Sequence, residues 1–111
     1  GLGDVYKRQE QIYLDKGLNR DSLAERLGTN RTYITKIVKS NTGLTLPQWI
    51  NRYRIKHARL ILSDQTKSGM SVKEIADESG FANVSTFNVV FKESVGMSPT
   101  AYRRSASELQ E

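Results

Sequence analysis

The chain contains its own repeat. Leu23-Ala24 with Gly28 returns 52 residues later as Ile75-Ala76 with Gly80, and Ile34, Lys39 and Gly43 return 53 residues later as Phe87, Lys92 and Gly96. Leu44-Thr45 answers to Met97-Ser98 in the same way. A repeat of this length means one supersecondary unit built twice, and any fold must accommodate both copies. The change of offset by one residue puts an insertion in the second turn.

Each copy reads as helix, glycine turn, helix. In the first, Asn19 is placed to cap a helix with Leu23, Ala24 and Leu27 inward, and Gly28 to stop it. Asn30 then caps a helix running to about Ser40, broken at Asn41-Thr-Gly43, with Ile34, Ile37 and Val38 inward. Residues three and four apart share a helix face, so the outer side carries Arg31, Thr32, Thr35, Lys36 and Lys39. Lys can reach guanine edges, and Thr can bond a base or touch a thymine methyl, so this face suits a DNA major groove. Taken alone it fits the solvated side of a helical bundle equally well. In the second copy, Ser71-Val-Lys-Glu74 is a capping box opening a helix with Ile75 and Ala76 inward. Asn83 caps the next, which buries Phe87, Val90 and Phe91. Ser98-Pro99 opens a last short helix through Tyr102 and Arg103, and residues 105–111 read as a flexible tail.

Between the copies, Thr45-Leu-Pro-Gln48 is another capping box, with Pro47 tolerated in the first turn. The helical period continues to about Ser63, giving a rod of roughly 24 Å at 1.5 Å per residue. Arg52, Lys56 and Arg59 belong on its wet side, whereas Trp49 and Tyr53 read as packing residues. His57, the sole histidine, reads as structural. Asp64 to Met70 is a polar loop. The expected fold is all-α: a first unit over about 10–45, a linker helix over about 46–63 and a second unit over about 71–104. A further helix ending near Gly17 brings the total to about seven helices.

With 111 residues the chain makes one domain, or two very small ones sharing a core. Net charge is +5, and its distribution matters more than its size. From Arg31 to Lys67 there are eight Lys or Arg against one acid, Asp64, a local basic field suited to a polyanion. No apolar run approaches the ~20 residues of a membrane helix, and no secretory signal pattern is visible. Zero cysteines exclude thiolate chemistry and fit a reducing cytoplasm. One histidine and no glycine-rich phosphate loop leave no nucleophile–base pair and no metal cluster, so neither an enzyme nor a cofactor is expected. RNA binding lacks free aromatic residues for base stacking. Asp4-Val-Tyr-Lys-Arg-Gln9 looks like the translation of a transposon-end sequencing adapter, so residues 1–9 are expected to be foreign.

Two such units in register on a stiff spacer imply a reader of consecutive major-groove faces, about one turn of duplex apart. Ser71-x-x-x-Ile75-Ala76-x-x-x-Gly80-Phe81, followed by Ser85-x-Phe87-x-x-x-Phe91-Lys92-x-x-x-Gly96-x-Ser98-Pro99-x-x-Tyr102-Arg103, closely resembles the signature of the AraC family of bacterial transcription regulators. The resemblance covers about Tyr13 to Arg104. It implies two helix-turn-helix subdomains joined by a long linker helix, binding double-stranded DNA in the bacterial cytoplasm, with no membrane contact from this segment. It further implies RNA polymerase as a partner, and a sensor or dimerisation domain that usually precedes this one. Base-reading positions carried over are Thr32, Thr35 and Lys36 in the first unit, and Val84, Ser85, Asn88 and Val89 in the second. Arg31, Lys39 and Lys92 are expected at the DNA backbone. The family commonly has Arg where Val89 stands, and a valine cannot donate a hydrogen bond, so strong guanine reading by the second unit is not expected. The competing reading is a helical protein–protein interaction module, which would lack the linear fall of log K with log salt.

Overall fold

The computed structural model describes residues 12–109. A 3-10 turn, Ile12–Leu14, precedes helices α1 (Arg20–Arg26), α2 (Arg31–Thr42), α3 (Leu46–Ser63), α4 (Val72–Glu78), α5 (Val84–Val95) and α6 (Pro99–Leu109). A second 3-10 turn, Gln65–Lys67, lies between α3 and α4. Among the described residues there is no strand, as the all-α reading requires. Most of the first of the seven expected helices, and the segment expected to be foreign, lie outside the described residues.

Helix starts are fixed by short polar side chains. Asn19 Oδ1 accepts the Ser22 N–H at 2.9 Å, and Thr45 Oγ1 accepts that of Gln48 at 3.3 Å. Ser71 Oγ accepts the Glu74 N–H at 3.1 Å, while Glu74 Oε1 accepts the Ser71 N–H at 3.2 Å. Each bond satisfies a donor that the first turn of a helix leaves without a partner. Gly43 and Gly96 end α2 and α5 in the left-handed region, at φ +75° and +92°, where a side chain would be strained.

The apolar residues form two cores threaded by one helix. The first gathers Leu23, Ala24, Ile34 and Val38 against Leu46, Trp49 and Ile50 at the start of α3. The second gathers Ile75, Phe81, Phe87 and Phe91 against Ile55, Ala58, Ile61 and Leu62 at its end. The 18 residues of α3 span roughly 27 Å, so the lobes sit on the two halves of a single rod. Trp49 is 4% exposed and edge-on to Tyr53, a packing role. His57 is half-buried, its ring edge-on to that of Tyr13. Burial lowers its pKa below the ordinary imidazole value, Lys67 lowers it further, and Glu78 opposes both.

Two local expectations need correction. Ile37 is only half-buried, because the inward stripe of α2 centres on Ile34 and Val38. The segment read as a flexible tail continues α6 to Leu109. Ser105, Ala106 and Ser107 are half-buried, and Ser107 shares a cleft with Leu62 and Gln65 at the end of α3. Small side chains lose little rotamer freedom on packing, so this polar stretch can order without a strong apolar signal.

Candidate nucleic-acid interface

The two second helices of the repeat are built alike. Asn30 Oδ1 accepts the Tyr33 N–H at 2.8 Å, and Asn83 Oδ1 accepts the Thr86 N–H at 2.8 Å. Buried Ile34 and Val38 anchor α2, and buried Phe87 and Phe91 anchor α5. With one side of each helix fixed in a core, helical geometry turns the opposite side to solvent.

On α2 that side carries Arg31, Thr32, Lys36 and Lys39, all exposed, with Thr35 half-buried beside them. These five residues line an open groove of about 490 Å³ together with Ser40 and Arg20. Arg20 belongs to α1 and was absent from the sequence reading, since nothing local ties it to a face on the next helix. Arg31 Nη1 stands 3.8 Å from Asp21 Oδ1. Both side chains are more than half exposed, so the pair holds Arg31 loosely and leaves it available to an anion. Lys39 is more committed: its Nζ donates to the Gly43 carbonyl at 3.0 Å, compensating the C-terminal end of the helix. Tyr33, 55% exposed, borders the same face and was also missed. An aromatic residue inside an amphipathic pattern is ordinarily assigned inward.

On α5, Ser85, Asn88, Val89 and Lys92 are all exposed, and Val89 is 57% exposed. A place for Val89 in the core beside Val90 is thereby ruled out. Val84 differs, being half-buried and packed on the second core, so less of it is free to meet a base. Glu93, exposed and one turn from Val89, is the acid the sequence reading overlooked. It lines a cleft with Val90 of α5 and with Arg52 and Gln48 of α3, which sets the linker's Arg52 beside the second helix.

Among the described residues, no group of three or more His, Asp or Glu side chains converges as a metal site would, and no helix is long and apolar enough to cross a membrane. The arrangement offers two exposed helix faces, each anchored in its own core and both cores packed on one rod.

Comparison with known proteins agrees with this architecture. Residues 23–105 match a family model described as a helix-turn-helix domain. The melibiose operon regulatory protein of Escherichia coli is 38% identical over 90 residues, which is 81% of this chain and 29% of that protein. The chain therefore spans under a third of that relative's length. The solved DNA-binding domain of AdpA, a global transcriptional factor in complex with a target DNA, superposes with a TM-score of 0.78 at 27% identity, covering 94% of this chain and 90% of that one. The C-terminal domain of the two-component response regulator yesN from Fusobacterium nucleatum superposes with a TM-score of 0.78 at 25% identity, covering 92% and 97%.

Proposed function

The chain belongs to the AraC-type helix-turn-helix family of DNA-binding transcription regulators, and from that premise we propose that α2 and α5 read base sequence in consecutive major grooves of one duplex. The observation that carries the reading is the repeated pair of capped helices, each with a core-anchored side and an exposed side, one in each of the two cores that share α3. In α2, Thr32, Thr35 and Lys36 meet base edges, Lys36 by donating to guanine. Arg31 neutralises a phosphate, with Lys39 and Lys92 near the backbone. In α5, Ser85 and Asn88 hydrogen-bond bases, and Val89 and the edge of Val84 contact thymine methyls. The site lies in the bacterial cytoplasm, within a longer regulator whose other domain senses a signal or dimerises, and whose output is contact with RNA polymerase. Chemically this is a binder, with no catalytic step assigned to it.

Selection of bound duplexes from a random library tests the reading. Two enriched blocks about 10–10.5 base pairs apart, centre to centre, are expected, with the stronger block under α2. Affinity should fall linearly on a log–log plot against salt. No enrichment, with affinity insensitive to salt, would instead mark the polar faces as a protein-docking surface.

A further inference from the structure

A separate set of contacts determines where the second reading helix stands relative to the first. Arg54 lies on α3 at the seam between the two cores, after Ile50 of the first and before Ile55 of the second. Its Nε donates to the Tyr13 carbonyl at 2.6 Å and its Nη2 to the Asp15 carbonyl at 2.8 Å. Segment 13–16 belongs to the first lobe: Tyr13 is buried in its core, and the Asp15 carboxylate accepts from Arg26 of α1 at 2.8 Å. The same segment also touches the second lobe. Gly80, at the end of α4, is buried, and a Cβ there would lie 2.6 Å from the Tyr13 carbonyl oxygen and 2.9 Å from Leu14 Cα. Lys16 forms an ion pair with Asp77, also on α4.

We propose that this brace, from Arg54 through segment 13–16 to Gly80 and Asp77, is a positioning device that sets the separation of DNA half-sites the protein accepts. The inference rests on the two-groove reading above and names what makes that reading selective for spacing. A shared helix sets the rotational phase of two lobes with separate cores, but each lobe can still rock on its own packing surface along that helix. A contact off the helix axis removes this freedom, because a small rotation of one lobe must break it. Arg54 is suited to the purpose, since a guanidinium can serve two carbonyls from one rigid fork, which lysine cannot. Arg54 is a positioning residue: it touches no base, and acts through the angle between α2 and α5.

Two measurements on the full chain test this. In the first, the selected half-sites are separated by spacers varied in single base pairs, and affinities are compared for the native protein and Arg54→Met. The native profile should be sharp. The variant should lose about tenfold at the best spacing while keeping native affinity for a duplex with the first half-site alone, so that its profile flattens. An equal loss at every spacing and on the single half-site would overturn the proposal and leave the brace a matter of stability. Asp77→Lys should flatten the profile, and adding Lys16→Asp should restore it; no restoration would count against the ion pair as part of the device.

The second measurement needs no DNA. The chain has no cysteine, so Ser40→Cys with Ser94→Cys gives two unique sites for spin labels on α2 and α5. Pulsed dipolar spectroscopy should show a narrow distance distribution that Arg54→Met broadens. An unchanged distribution would overturn the brace even if DNA reading stands. A broadened distribution with no spacing preference for any duplex would leave the brace in place but remove its proposed role in DNA selection.

Discussion

In the first lobe, the reading helix starts at Asn30 and ends at Gly43; in the second it starts at Asn83 and ends at Gly96, with the same cap bond and the same left-handed stop. The outward chemistry of the two helices differs. Helix α2 carries Arg31, Lys36 and Lys39 and no acid, whereas α5 carries Lys92 and Glu93, a formal charge of +3 against 0. Where α2 exposes Lys36, α5 exposes Val89. The parts that fold a helix and the parts that could read with it thus sit on different sides of the same cylinder. One side is alike in the two copies while the other differs, so under the proposed reading the first lobe anchors and the second refines.

The largest test of that contrast is Lys36→Ala, expected to weaken binding to the preferred duplex by ~1–3 kcal/mol and to relax preference at one base pair, while Asn88→Ala has a smaller effect. Comparable losses from the two, measured by titration at fixed salt, would erase the asymmetry. Ser71→Ala removes the hydroxyl that accepts the Glu74 N–H, one of the two bonds of a capping box, and should lower stability by ~1 kcal/mol, seen as a lower melting temperature. Hydrogen exchange should locate that loss in the second lobe. Val89→Arg sharpens the comparison from the other side by giving α5 the cation it lacks. Because Val89 is exposed, the fold should be unaffected, and a new phosphate contact should steepen the salt slope by ~0.9. A sharp fall in melting temperature would contradict the exposed position.

Ser79 is fully buried, and its hydroxyl has no hydrogen-bond partner among the described residues, whereas its counterpart in the first lobe, 52 residues earlier, is Leu27. Ser79→Ala should therefore be neutral or stabilise the second lobe by up to ~1 kcal/mol, and a clear loss by thermal scan would mean the hydroxyl is satisfied. The smallest expected effect is that of acid. His57 faces Lys67 and Glu78 of the second lobe, and its folded pKa lies below the unfolded value. The unfolded chain therefore takes up the proton first, so stability is complete above about pH 6.5 and falls as pH drops through that value. His57→Gln should flatten this part of the melting-temperature profile; an unchanged profile would assign the acid sensitivity to other groups.

Much of the fold was legible because its determinants are local. Caps at Asn19, Asn30, Thr45, Ser71 and Asn83 each act within three residues, and the glycine stops act within one turn. The repeat then supplied the tertiary arrangement, since two identical local solutions imply two similar lobes. What stayed hidden depends on distance along the chain. The Arg54 contacts join residues 39 and 41 apart, and Arg20 reaches the groove of α2 from another helix. Helix α6 was cut short because its last turns pack through serine and alanine, which carry no periodic apolar signal. At the candidate interface, the outward residues of α2 followed from periodicity alone, while the bond from Lys39 to Gly43 competes with the DNA role expected of that lysine.

The continuity of α3 also constrains how such a protein can diverge. Each residue added within an α-helix advances the far end by 1.5 Å and turns it by about 100°. One insertion in α3 would hardly lengthen the rod, yet would swing α5 more than a quarter turn away from any duplex held by α2. The spacing between the lobes is therefore quantised as a rotational phase, and it cannot drift by small steps. Length changes are expected instead at residues 64–70, where the chain can take up slack without transmitting a rotation, and a set of homologous sequences should show its gaps there and an uninterrupted count through α3.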